Sequence, residues 1–208
     1  MGGRGGNSGF TEKRPTTTRN SLVSLHDEKA VAWIEDKMGV SNETARDVFS
    51  TLKEYFEDAT SVHNRLDRIS ERKIERFLTS PNVPVYEGET YRGISLNPTE
   101  TQSAKEVIES IIKKGIWKEP GITSFTSDRR QPMGFADHKD RRPDAIPVLL
   151  VNENNITGVP VGHLSQAFQQ REVLYPARTA RKGFRIISHE IIKLRSGKDL
   201  YVLMVSEK

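Results

Sequence analysis

The chain has 208 residues, 35% of them apolar and 29% charged, with a net charge of +4 and no cysteine. That length can bury a substantial core in one domain, and the lack of cysteine excludes disulfides, thiolate metal ligands and a cysteine nucleophile. No apolar run approaches the roughly 20 residues a membrane-spanning helix needs, and the opening "MGGRGGNSGF" lacks the apolar centre of a secretory signal. The expectation is a monomer in the cytoplasm. Charge is unevenly spread: residues 1–20 carry +3 and residues 171–198 carry +6. A phosphate-bearing ligand or an acidic partner suits the second stretch, whereas no motif for binding duplex nucleic acid is present.

In chain order, residues 1–20 hold five glycines and few apolar groups and read as a flexible basic tail, with a single domain over 21–208. Its first part, 21–80, has helical period. Ala30, Val31, Ile34 and Met38 share a face that Gly39 terminates. Ser41 is placed to cap the next helix, whose stripe is Ala45, Val48, Phe49, Leu52, Phe56 and Ala59. A third helix runs through Leu66, Ile69, Ile74, Phe77 and Leu78 to Pro81. These faces read as core. The second part, 81–208, is strand-rich: 85–96, 121–127, 146–151, 172–175, 183–194 and 200–205, with "RSGKD" turning the last hairpin. One strong helix interrupts it, with Ala104, Val107, Ile108, Ile111 and Ile112 inward and Gly115 at its end. Helices first and strands afterwards predict an α+β fold on a largely antiparallel sheet, and the absence of GxGxxG argues against a Rossmann domain.

Three strand segments carry polar groups whose reading stays open, since strand hydroxyls and a lone acid at a strand mouth also suit a sheet edge. In "TYRGI", Arg92 stands among apolar and small residues, where a guanidinium is costly unless it meets a carboxylate or a bound anion; both readings are open. Gly93 beside it permits a close approach to the backbone. In "GITSFTSDRRQPMGFA", Ser124, Thr126 and Ser127 precede a basic loop with Arg129 and Arg130. In "FQQREVLYP", Glu172 stands at the mouth of the apolar run Val173, Leu174 and Tyr175. The five histidines show no metal-ligand spacing, and no metal is expected.

Taken in order, YRG, SFTSD and QREVLYP resemble the signature of mono-ADP-ribosyltransferases, in the Arg–Ser–Glu branch of cholera-toxin-like enzymes and Rho-modifying exoenzymes. Tyr91, Arg92 and Gly93 match its first element. Ser124, Phe125 and Thr126 stand for its Ser-Thr-Ser strand, with Phe125 a departure in the middle place. Gln170, Arg171 and Glu172 match the Gln-x-Glu form of the third element. The resemblance spans roughly residues 40–205.

The resemblance implies an ADP-ribosyltransferase fold, with N-terminal helices packed on a mixed, largely antiparallel core of two sheets. It implies NAD as substrate, cleaved at its nicotinamide–ribose bond, and a macromolecular acceptor for the ADP-ribose. Glu172 would hold the ribose and face the developing cation, Ser124 would fix Glu172, and Arg92 would pair with the pyrophosphate. Tyr91, Gly93, Thr126, Arg129 and Phe135 would complete the NAD site. Gln170 and Phe168 would meet the acceptor. Where relatives carry glutamate, Gln170 cannot serve as a base for an arginine acceptor, which points to an asparagine or glutamine side chain or a guanine base. Delivery into a target cell, as for toxins and effectors, fits the same resemblance. The other readings are an NAD glycohydrolase and an inactive binding module, the latter because the glycine-rich start is similar to that of phage- and mobile-element-encoded proteins with such domains.

Overall fold

The computed structural model of the protein describes residues 17–58, 67–137, 142–164 and 171–208. Local chemistry sets the helix ends. Helix α1 (Thr17–Met38) stops at Gly39, whose φ of 63° is one that glycine adopts without strain. Ser41 Oγ accepts from Thr44 N at 3.3 Å and opens α2 (Asn42–Asp58), as its position predicts. Asp67 accepts from Ile69 N and Ser70 N at the start of α3 (Arg68–Leu78). Ser103 and Glu106 form a reciprocal capping box on α4 (Ala104–Lys114), which ends at Gly115 with φ 68°.

Eight strands follow or interleave: β1 (Thr90–Leu96), β2 (Ile116–Trp117), β3 (Thr123–Thr126), β4 (Ile146–Asn152), β5 (Val159–Pro160), β6 (Glu172–Tyr175), β7 (Phe184–Lys193) and β8 (Asp199–Glu207). Two short helices, α5 (Pro132–Ala136) and α6 (Ala177–Lys182), and a 3-10 turn at Gly162–Leu164 complete the described chain. The strand order is β2-β7-β8-β4-β1-β3-β6-β5, and every pairing is antiparallel except β4 with β8. The mixed, largely antiparallel architecture is as expected, but the strands form one sheet instead of two. The join is narrow: β1 meets β3 through the single register pair Tyr91 and Thr126. The hairpin turn of "RSGKD" is closed by Leu194 N donating to Lys198 O at 2.9 Å, with Gly197 at φ 84°.

The helical part and the sheet share a core. Val31 and Ile34 of α1, Val48, Phe49 and Leu52 of α2, and Ile74, Phe77 and Leu78 of α3 are buried with Val159, Val161, Leu164 and Leu174 of the β5–β6 end. Met38 and Phe56 pack against them, partly buried, and the expected Ala59 and Leu66 lie outside the described residues. Ile69 departs from its expected place, at 68% exposure. It precedes Ile74 by five residues, which turns it about 140° from the buried face. Ile108 of α4 packs with Phe125, Leu150, Tyr175, Phe184 and Leu203, while α5 lies over Tyr91, Val151, Leu200 and Val202. Of the inward face expected on α4, Ile111 and Ile112 pack partly buried and Val107 is half covered. Among the described residues no helix is long and apolar enough to cross a membrane.

Candidate active site

Strands β3 and β6 pair antiparallel with Thr126 opposite Glu172 and Ser124 opposite Leu174. Ser124 and Glu172 are therefore diagonal neighbours on one face of the pair, a spacing that polar side chains can bridge. They do: Ser124 Oγ donates to Glu172 Oε1 at 2.5 Å. Glu172 is only 6% exposed. Burial pushes its carboxyl above the ordinary value, while the bond from Ser124 and the charge of Arg92 pull it back down.

Alternation on β3 also accounts for the Phe125 departure. The middle residue of the triplet points to the other face, where Phe125 is 2% exposed and its ring lies 4.7 Å from Tyr175 and 5.3 Å from Phe184. An aromatic there fills the core and leaves the Ser124 face untouched. Behind it, Tyr175 is anchored by a 2.6 Å hydrogen bond between its hydroxyl and that of Thr90.

Arg92 reaches the same place from β1. Its Nη1 donates to the carbonyl of Ser124 at 2.6 Å and its Nε to Glu119 Oε1 at 3.2 Å. The carboxylate partner that a half-buried arginine needs is thus Glu119, which also accepts from Trp117 Nε1 at 3.0 Å. Neither Glu119 nor its pairing is legible in "WKEPG", where the residue reads as a loop charge.

The helical part supplies a group that sequence reasoning misses. Tyr55 of α2 lies within electrostatic reach of Glu172, Arg92 and Glu119, and burial above all, then the charge of Glu172, raises its hydroxyl well above the usual phenol range. It stays a neutral phenol at any working pH. Its only sequence signal is a hydroxyl-bearing aromatic beside the apolar stripe at Leu52 and Phe56, which is a common pattern in helices.

The backbone around Glu172 is held from two sides. Val161 N donates to Glu172 O at 2.9 Å, and Ser127 N donates to Arg171 O at 3.0 Å. Arg171, at φ 42°, is the one non-glycine residue at positive φ among the described residues, and it is exposed. Gly162 sits against this turn; a Cβ there would lie 3.1 Å from Glu172 N and 3.2 Å from Arg171 Cα.

Gly93 has no room for a side chain: a Cβ would lie 1.8 Å from the Pro132 carbonyl oxygen. The group that approaches its backbone is the start of α5. Tyr91 is buried over α5 and its hydroxyl donates to Glu89. Thr126 donates to Gln131 Oε1 at 3.2 Å and accepts from Asp128 N at 3.0 Å, tying the start of the basic loop to β3. Arg129 is exposed, and Phe135 on α5 is 52% exposed. Gln170 and Phe168 lie outside the described residues. Among the described residues no group of three or more histidines and acids could hold a metal ion.

Arg92, Ser124 and Glu172 therefore converge, with Glu119 and Tyr55 beside them. A fixed, buried carboxylate next to a guanidinium can face a developing cation while the arginine takes an anionic group of the same ligand.

Comparison with solved structures places the chain in the ADP-ribosyltransferase fold. Vis, an ADP-ribosyltransferase toxin of Vibrio splendidus, aligns with a TM-score of 0.54 at 19% identity, over 95% of this chain and 87% of that one. An ADP-ribosyltransferase of Clostridium botulinum aligns at 0.53 and 15% identity, over 88% and 95%. The Plx2a toxin of Paenibacillus larvae aligns at 0.54 and 14%, over 88% and 96%. No protein-family model and no curated protein matches the sequence.

Proposed function

We propose that the chain is an NAD-dependent mono-ADP-ribosyltransferase acting on a macromolecular acceptor. The observation that carries this reading is the hydrogen bond from part-buried Ser124 to buried Glu172, with Arg92 tied to the same strand, in a chain of ADP-ribosyltransferase fold. The bond between ribose C1′ and the nicotinamide nitrogen breaks, and nicotinamide leaves as a neutral base with the bonding electron pair. Positive charge develops on the ribose ring. Glu172, ionised, holds the ribose 2′-hydroxyl and opposes that charge, Ser124 keeps its carboxylate in one rotamer, and Arg92 pairs with the pyrophosphate. The acceptor then gives an electron pair to C1′ and releases a proton. Arg129 and Phe135, next to Thr126 and on α5, extend the site toward phosphate and nicotinamide.

Gln170 argues for the acceptor class. Its amide can orient a nucleophile by hydrogen bonds but cannot take the proton that an arginine acceptor must lose. An asparagine or glutamine side chain, or a guanine base, fits better, with Phe168 contacting the target. Solved relatives described as toxins, and one from Xanthomonas described as a type III effector, support action inside a cell other than the producer's.

The test is mass spectrometry of cell extracts incubated with NAD and the protein. ADP-ribose on amide side chains or guanine is the expected result, with Gln170→Glu shifting modification toward arginine. Nicotinamide release with no modified macromolecule in any extract would replace the transferase with a glycohydrolase. Absence of both NAD binding and turnover would leave a binding module on an inactive fold.

A further inference from the structure

Glu119 is a part-buried carboxylate with no part in the chemistry above. It stands three residues beyond the start of β2, and its side chain is 14% exposed. One oxygen, Oε1, accepts from both Arg92 Nε and Trp117 Nε1, at 3.2 and 3.0 Å. Its own backbone N–H is fixed by the Ala180 carbonyl at 3.1 Å. Arg92 is thereby held at two points of its fork, Nε by Glu119 and Nη1 by the Ser124 carbonyl, while Nη2 has no partner among the described residues.

We propose that Glu119 is a positioning residue: it locks the guanidinium of Arg92 so that the Nη2 edge is presented to the pyrophosphate of the dinucleotide. This rests on the assignment of Arg92 to that pyrophosphate. A long side chain that is free in the empty protein loses its rotamer freedom when the ligand arrives, and affinity falls accordingly. One already held by the protein has lost that freedom on folding. The guanidinium fork is rigid, so fixing Nε and Nη1 fixes the direction of Nη2 as well. The carboxylate also carries a charge of the same sign as the incoming phosphates and repels them, so geometry and electrostatics pull in opposite directions at this residue. Substitutions separate the two. Glutamine retains the oxygen acceptor and removes the charge, whereas alanine removes both.

The experiment is NAD binding by calorimetry together with steady-state nicotinamide release, for wild type, Glu119→Gln and Glu119→Ala, with melting temperatures measured alongside. Glu119→Ala is expected to raise Kd and KM about three- to tenfold, the size expected for one side chain newly immobilised on binding, with kcat little changed. Glu119→Gln is expected to restore wild-type affinity or exceed it. If alanine fails to fold, Glu119→Asp keeps the charge but shortens the reach, and a rise in KM is expected there too. Unchanged Kd and KM in both Glu119→Ala and Glu119→Asp would overturn the proposal. A fall in kcat at constant KM would also overturn it, because it would place Glu119 in the chemistry or in the fold alone. Wild-type protein that fails to bind NAD would instead overturn the reading on which the proposal rests.

Discussion

Glu172 is buried beyond what an unassisted carboxylate tolerates, and the direction of its shift fixes how the protein should respond to pH. Its folded value lies above the unfolded one, so the native state holds the proton more tightly. Ionised Glu172 therefore costs stability near neutral pH. The cost is absent below the unfolded value of about 4.3 and grows as pH rises to the folded value. Glu172→Gln should melt at the wild-type temperature or higher at pH 7.5, gaining about 2–4 °C per kcal/mol recovered, with the gap closing toward pH 4 in calorimetry. Turnover should run the other way, rising with pH as Glu172 ionises. Ser124 donates to the charged form, so Ser124→Ala should push the carboxyl further up. The acid limb of the nicotinamide-release profile should move to higher pH, and the rate at pH 7 should fall about tenfold or more. An unmoved acid limb would show that Ser124 does not hold the reacting carboxylate.

At the level of elements, the site depends on how closely α5 lies on β1. Gly93→Ala would set a methyl group against the Pro132 carbonyl, a backbone atom that cannot swing aside. A loss of about 1–3 kcal/mol in denaturant unfolding is expected, with the basic loop displaced. The sequence marks Gly93 as a point of close approach but does not say what approaches. The same boundary recurs elsewhere. Strand β6 and the β7–β8 hairpin are legible because a short apolar run and turn chemistry are local signals. Helix α6 is not, because its first N–H groups are capped from far along the chain: Ala177 N and Arg178 N donate to Glu75 of α3 at 2.5 and 3.2 Å. Of the site, Arg92, Ser124 and Glu172 are legible through the order of three motifs, since each polar group alone also suits an ion pair or a sheet edge. Glu119 and Tyr55 belong to no such motif, and only the tertiary fold gives them a place.

Across the whole molecule, the helical part is joined to the sheet by a shared cluster, since Leu174 and Val159 of the sheet are buried among residues of α1, α2 and α3, while the strands keep further clusters with α4 and α5. Unfolding should be one cooperative transition. The two tryptophans report on it from opposite parts: Trp33 packs partly buried beside Phe77 in the helical part, and Trp117 is buried in the strand core. Fluorescence of Trp33→Phe and Trp117→Phe, each referred to its own calorimetric midpoint, should give coincident transitions; separated ones would mean two folding units. That shared core is also what carries Tyr55 to a carboxylate on β6 and makes the site a property of the complete fold. The central claim is that this site cleaves NAD through Glu172. It is tested most directly by the rate of nicotinamide release from NAD by wild-type protein and by Glu172→Gln of equal or higher melting temperature. Measurable release by the wild type and a loss of about a hundred- to a thousandfold in the variant is the predicted result. Release at similar rates from both proteins would contradict it.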